Sequence, residues 1–420
     1  MMWTKVELGI RENLLPGVLL RESIGCQVDP GKRQSPSGFL GILSQSSESS
    51  GVALRVSSRK ASHVPTGLHL MSKMVARTPG FWKALGNLES FTLGEDINSQ
   101  EIIKPIFVSG LARSGSTILT EVISQHPRLA CHHYSDFPIT WIPYWWNSLR
   151  KHLPLPKQEP QERAHRDRLM ITGDSPEAVE EVLWMHFFPE AHKSDCSHVM
   201  GEQESHPQFE KYYRDHIRKL LIVRNRQRYV AKNNYHVTRI EYLLKLFPDA
   251  RIIIPIREPV QQVASLIKQH RLFSQKNAED SRVARQLQLS GHYEFGPLRC
   301  PIIVDESRQA HYRHDLEEVA WYANQWADVY SFLHKRINEN QMLAKACLVV
   351  RYEETCSRTE KSLQRLFAHL DLDDEWADKI IEACAPTINA PDYYQVSFTA
   401  PQQELIQKLT SATAETYAYS

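Results

Sequence analysis

The sequence predicts a three-layer α/β fold in which a parallel sheet is sandwiched by helices and flanked by a helical cover. From Lys104 onward, short apolar runs alternate with amphipathic stretches, the pattern of parallel strands joined by crossover helices. Ile106 to Ser109 and Arg251 to Ile256 read as buried strands, and each passes through a turn into a helical pattern. Apolar runs at Tyr229 to Lys232 and Cys347 to Tyr352, each adjoining an amphipathic stretch, extend the same plan.

The chain has 420 residues, 42% hydrophobic and 24% charged, enough for one large core with terminal additions. The expected divisions are an N-terminal extension over 1–100, the main α/β domain over 101–375 and a C-terminal extension over 376–420. A formal net charge of +1 supplies no global field for nucleic acid or an anionic membrane, so any anion site must be local. The seven cysteines are odd in number, dispersed and never arranged as CxxC. This fits a reducing, cytoplasmic compartment better than a disulfide framework or a zinc ribbon. Arg11, Glu12, Pro16, Arg21 and Glu22 interrupt the first apolar patches, so neither a signal core nor a membrane span is expected. Gly31 to Ser62, rich in Ser, Gly, Lys and Arg, is expected to be linker or disordered.

Ile106-Phe107-Val108-Ser109 is followed by a loop, Gly110 to Gly115, and a helix from Ser116 to Gln125 that stops before His126-Pro127. The second unit runs from Arg251 to Ile256 into Pro259, which suits a first helical turn, with Val260, Val263, Ala264 and Ile267 at core-facing spacing. Pro255 makes that strand imperfect. His236 to Phe247 and Thr359 to Leu370 read as sheet-covering helices. Glu177 to Phe188 and His314 to Ile337 are helical and aromatic-rich, which suits a cap beside the sheet.

Gly110-Leu111-Ala112-Arg113-Ser114-Gly115-Ser116-Thr117 has the spacing of a phosphate-binding loop between strand and helix. Backbone N–H groups, the hydroxyls of Ser116 and Thr117 and the positive end of the helix would all favour an anion there. Ser116 stands where a nucleoside triphosphatase would place the lysine that reaches the β- and γ-phosphates, which weakens triphosphate chemistry.

Here the chain resembles the sulfotransferases that use 3′-phosphoadenosine-5′-phosphosulfate (PAPS). Their 5′-phosphosulfate loop matches Arg113-Ser114-Gly115-Ser116-Thr117 residue by residue. Arg257, ending a second strand, and Ser265, eight positions later on the next helix, match the pair that holds the 3′-phosphate of PAPS and of its product PAP. The chemistry suits the role: a permanently charged fork and a hydroxyl on one side of a helix. Lys232-Asn233-Asn234, Leu246 to Arg251 and Val350 to Glu354 extend the resemblance over about 105 to 372. It implies that Lys232 meets the transferred sulfuryl group and that Tyr352 lies at the adenine.

Sulfuryl transfer needs cations near the leaving oxygen and a group to take the acceptor's proton. Arg113 and Lys232 are the charge stabilisers, and no metal is expected. The scattered His186, His192, Cys196 and His198 lack regular ligand spacing. Cytosolic relatives carry a histidine where this chain has Asn234, which cannot serve as a base. Carbohydrate-sulfating relatives keep a carboxylate after the loop helix, which makes Asp136 the leading base and His132 the alternative. The acceptor would be a small molecule, a glycan or a lipid, with the aromatic stretch Phe137 to Trp146 offering stacking surfaces. A small-molecule kinase and a non-catalytic PAP-binding protein stay open as alternatives.

Overall fold

The computed structural model describes residues 64–153, 159–193, 195–313, 317–390 and 397–419. The segment Gly31 to Ser62 lies outside them. Three helices precede the sheet: α1 (Thr66–Arg77), α2 (Pro79–Leu93) and α3 (Glu95–Ser99). They are packed helices: α2 buries Trp82, and Glu89 makes a 2.9 Å ion pair with Lys219, both fully enclosed.

Then follow β1 (Ile106–Val108), α4 (Ser116–Ser124), β2 (Leu129–Ala130), α5 (Pro143–His152) and a small antiparallel hairpin of β3 (Gln161–Glu162) and β4 (Met170–Ile171). Next come α6 (Glu181–Phe187), α7 (Pro207–Arg224), β5 (Arg228–Lys232), α8 (Ile240–Leu246), β6 (Arg251–Ile256), α9 (Pro259–Glu279) and α10 (Arg282–Leu289). The chain closes through α11 (Glu318–Glu339), α12 (Gln341–Ala346), β7 (Cys347–Arg351), α13 (Tyr352–Ser357), α14 (Thr359–His369), α15 (Glu375–Cys384) and α16 (Ala400–Thr416).

The five-stranded sheet has the order β2-β5-β1-β6-β7, and every pairing in it is parallel. Successive side chains on a strand point to opposite faces, which divides the core in two. Ile106, Val108, Val230 and Ile253 face α4, α14 and α15. Phe107, Tyr229, Ile252 and Ile254 face α7, α8 and α11. Both sides of the sheet are therefore covered, as a parallel sheet requires.

Pro255 sits inside β6 without breaking it. Its pairing with β1 ends at Ile253, and its carbonyl, which points the same way as its missing N–H would, lies beside Gly110 beyond the end of β1. No ladder donor is needed there. The absence of a side chain at 110 is what lets the loop turn at this point, because a Cβ would stand 2.6 Å from the Pro255 carbonyl oxygen.

At the other end of the chain, α16 packs on α11. The Tyr417 hydroxyl donates to the Tyr330 carbonyl at 2.8 Å, and the Tyr419 hydroxyl donates to Glu353 at 2.8 Å. The C-terminal segment thus closes against the β7–α13 corner. Among the described residues, no helix is long and apolar enough to cross a membrane.

Candidate active site

The loop between β1 and α4 turns in left-handed backbone at two places, Arg113 with φ 69° and Gly115 with φ 94°. Gly115 caps α4, and a Cβ there would lie 2.6 Å from the Tyr352 ring. Glycine is required both by conformation and by space. Ser114 donates to the Leu111 carbonyl at 2.7 Å, which fixes the loop internally.

From this loop Arg113 reaches across to the β6–α9 unit. Its Nε donates to the Ser265 hydroxyl at 3.0 Å. Arg257, at the end of β6, is buried and carries its guanidinium 4.7 Å from the centre of the Tyr352 ring, within cation–π range. Its Nε has no hydrogen-bond partner among the described residues. The structure therefore brings together Arg113, Gly115, Arg257, Ser265 and Tyr352, drawn from three strand ends far apart in sequence. Ser116 begins α4 and is buried, and Thr117 lies on its first turn. An unpaired buried guanidinium nitrogen, a loop with no room for a Cβ at 110 or 115 and neighbouring hydroxyls suit a ligand with phosphate groups.

Sequence reading missed the hairpin segment beside the loop. Asp167 accepts from Arg113 Nη1 at 2.8 Å and from Arg163 Nε at 2.9 Å, while Arg163 Nη1 donates to the Thr117 hydroxyl at 3.3 Å. Burial opposes the Asp167 charge, but the two arginines outweigh it and hold the carboxyl well below its usual range. No apolar period runs through 159–169, so pattern alone could not place this segment.

Lys232 ends β5, half-buried. Burial lowers its pKa, with Arg163 and Arg113 acting in the same direction, while Glu177 and Glu294 work against them. Glu121 of α4 is half-buried in the same region, and burial pushes it up to about 7 against the pull of Arg163 and Lys232. Asn234 donates to Glu294 at 2.6 Å.

Asp136 and His132 sit elsewhere in character. Asp136 is fully buried and accepts from His132 Nδ1 at 3.1 Å, His133 N–H at 2.9 Å, Asn147 at 2.9 Å and Arg224 at 2.9 Å. Burial disfavours its charge, yet His132, Arg224 and the His133 N–H together hold it far below the usual carboxyl value. His132 is buried too, with its Nε2 2.9 Å from His216 Nε2. Both residues are enclosed and committed to protein partners, an arrangement that suits an anchor between α5 and α7 better than a base.

The expected aromatic stretch is divided. Trp141 is buried against Tyr212 and His186, and Trp146 donates to the Ser135 carbonyl at 2.7 Å. Phe137 and Trp141 also line a cavity of about 500 Å³ with Val75, Ala76, Met185 and Tyr293. The scattered histidines have separate partners: His192 contacts Glu181 at 2.9 Å, His198 contacts Glu204 at 2.9 Å and His186 packs on Trp141. Among the described residues, no three of His, Cys, Asp or Glu group as metal ligands.

Residues 105–294 match the family model described as the sulfotransferase family. The chain is similar in structure to sulfotransferase STF9 from Mycobacterium avium, with 14% identity and a TM-score of 0.48, covering 78% of this chain and 80% of that one. It is similar also to sulfotransferase STF1 from Mycobacterium tuberculosis H37Rv, with 14% identity and a TM-score of 0.45, covering 84% and 87%. No curated protein sequence matches the chain.

Proposed function

From the match of residues 105–294 to the sulfotransferase family model we propose that the chain moves the sulfuryl group of PAPS to a hydroxyl or amine of a small-molecule, carbohydrate or lipid acceptor. The observation that carries this reading is the junction of two half-sites far apart in sequence: Arg113 bonded to Ser265 at 3.0 Å, with Arg257 stacked on the Tyr352 ring that abuts Gly115.

PAPS supplies an activated sulfuryl group and a phosphate leaving group. In this reading the N–H groups of Ser114, Gly115, Ser116 and Thr117 and the two hydroxyls of 116 and 117 hold its 5′ side. Arg257 and Ser265 hold the 3′-phosphate, and Tyr352 borders the adenine. Arg113, Lys232 and Arg163 supply positive charge where the leaving oxygen becomes more negative, and such preorganised charge is a large part of catalysis in group transfer between oxygens. The proposal gives no role to a metal ion. Asp136 and His132 are assigned the work of holding the loop after β2 in place. Cytoplasmic residence belongs to the same proposal, supported by six described cysteines that are all free thiols.

A kinase would need a cation at 116 to reach a triphosphate, and Ser116 offers none. The test is transfer of radiolabelled sulfur from PAPS into phenol, sterol and monosaccharide acceptors, compared between the wild type and Arg113→Ala. Label in an acceptor that falls at least tenfold in the variant supports the reading. Label transferred instead from the γ-phosphate of ATP would overturn it.

A further inference from the structure

We propose that His292, on the loop between α10 and α11, takes the acceptor's proton, filling the role left open by Asn234. The proposal rests on the PAPS-dependent reading above. Its starting point is a chain of contacts: Asn234 donates to Glu294 Oε1 at 2.6 Å, Glu294 Oε2 lies 3.7 Å from His292 Nδ1, and His292 Nε2 lies 3.7 Å from Glu177 Oε1. An imidazole thus stands two contacts away from the asparagine that follows Lys232-Asn233.

The three candidate bases differ in how their polar atoms are committed. Both oxygens of Asp136 and both nitrogens of His132 lie within hydrogen-bond distance of buried protein groups. The His292 contacts, at 3.7 Å, exceed hydrogen-bond length. Its side chain is 24% exposed, against 2% for His132 and 0% for Asp136. Of the two imidazoles, His292 is therefore the one with solvent-exposed surface and, among the described residues, no hydrogen bond to hold its ring nitrogens. The charged groups facing it are Glu294, Glu177 and Lys232. Burial lowers its pKa, but the two carboxylates prevail and raise it above the ordinary imidazole value.

In the step itself, the acceptor oxygen forms a bond to sulfur while the bond from sulfur to the 5′-phosphate oxygen breaks. The electron pair of the broken bond stays on PAP. The acceptor's proton passes to a ring nitrogen of neutral His292, which becomes imidazolium between Glu177 and Glu294 and later loses that proton to solvent. Lys232 supplies charge for the leaving oxygen, which keeps the proton-taking and charge-stabilising roles on different residues.

The test uses the full chain with a series of phenols of decreasing pKa as acceptors, and it measures PAP binding to each variant by calorimetry. His292→Gln is expected to lose about a hundredfold to ten-thousandfold in turnover with the least acidic phenol, with PAP affinity within twofold of wild type. The loss should shrink steadily as the phenol becomes more acidic, since an acceptor that is already ionised needs no base. A purely structural histidine would lower all phenols equally. Glu177→Gln should keep measurable turnover and move the acidic limb of the pH–rate profile to lower pH, because one carboxylate that raises the imidazole pKa is gone. Near-normal turnover in His292→Gln, or a loss independent of phenol acidity, overturns the proposal. So does abolished turnover in Glu177→Gln beside an active His292→Gln, which would make the carboxylate the base. Failure of wild-type protein to bind PAP would instead sink the PAPS reading itself.

Discussion

At position 115, conformation and packing make the same demand on the residue. A side chain would be strained at φ 94° and would meet the Tyr352 ring at 2.6 Å. Gly115→Ala is expected to cost about 1–3 kcal/mol in stability and to weaken PAP binding, both measurable by thermal unfolding and calorimetry. Arg257→Ala should weaken PAP far more than adenosine-5′-phosphosulfate, because only PAP carries a 3′-phosphate. Equal weakening of the two ligands would remove Arg257 from that role. Asp136 makes a different kind of prediction. A carboxyl held below its ordinary value of 3.8 adds stability that is present above that value and is lost as pH falls towards the folded one. Asp136→Asn takes the charged partner from half-buried Arg224, which should cost up to about 3 kcal/mol at neutral pH, below the penalty for a fully buried pair. The variant should also lose less of its remaining stability than wild type between neutral pH and pH 3. These residues differed in how readable they were. Gly115, Arg257 and Ser265 announce themselves by spacing, whereas the depth of Asp136 depends on Arg224 and Asn147, which no local pattern links to it.

Among the elements, β1–α4 and β6–α9 were the most readable, because an apolar run, a turn and a periodic helix follow one another within about thirty residues. The observed α4 and β6 lie within a residue of expectation. The helix expected over His236 to Phe247 divides instead into a 3₁₀ turn, Asn234–Thr238, and α8. The Asn233 side chain, accepting from the Tyr235 N–H at 2.9 Å, starts that turn early. The β3–β4 hairpin had no signal, since its connecting loop is tied down by the Arg113–Asp167–Arg163 ion pairs and carries no apolar period. Its Asp167 lies on Arg113, a residue that the proposed reading also assigns to the cofactor's phosphosulfate. Asp167→Asn is therefore expected to tighten PAP binding several-fold at low salt, with the gain fading as salt screens the site. Weaker binding would mean that Asp167 aligns the two arginines instead of competing for them.

For the molecule as a whole, the layered sheet and the β1–α4 loop follow from patterns written along the chain, while the proposed proton-taking group depends on how distant loops meet. Asn234 marked where a histidine was missing, but nothing in the order of residues ties it to Glu294 and His292 sixty positions on. Tertiary contact alone reveals that link. The central claim is that the β1–α4 and β6–α9 corners together form a site for a 3′-phosphorylated adenine nucleotide. Calorimetric titration of the full chain with PAP, AMP and ATP–magnesium tests it most directly. The account predicts tight binding of PAP without metal, much weaker binding of AMP, and no comparable binding of ATP–magnesium. Tight ATP–magnesium binding with no response to PAP would contradict it.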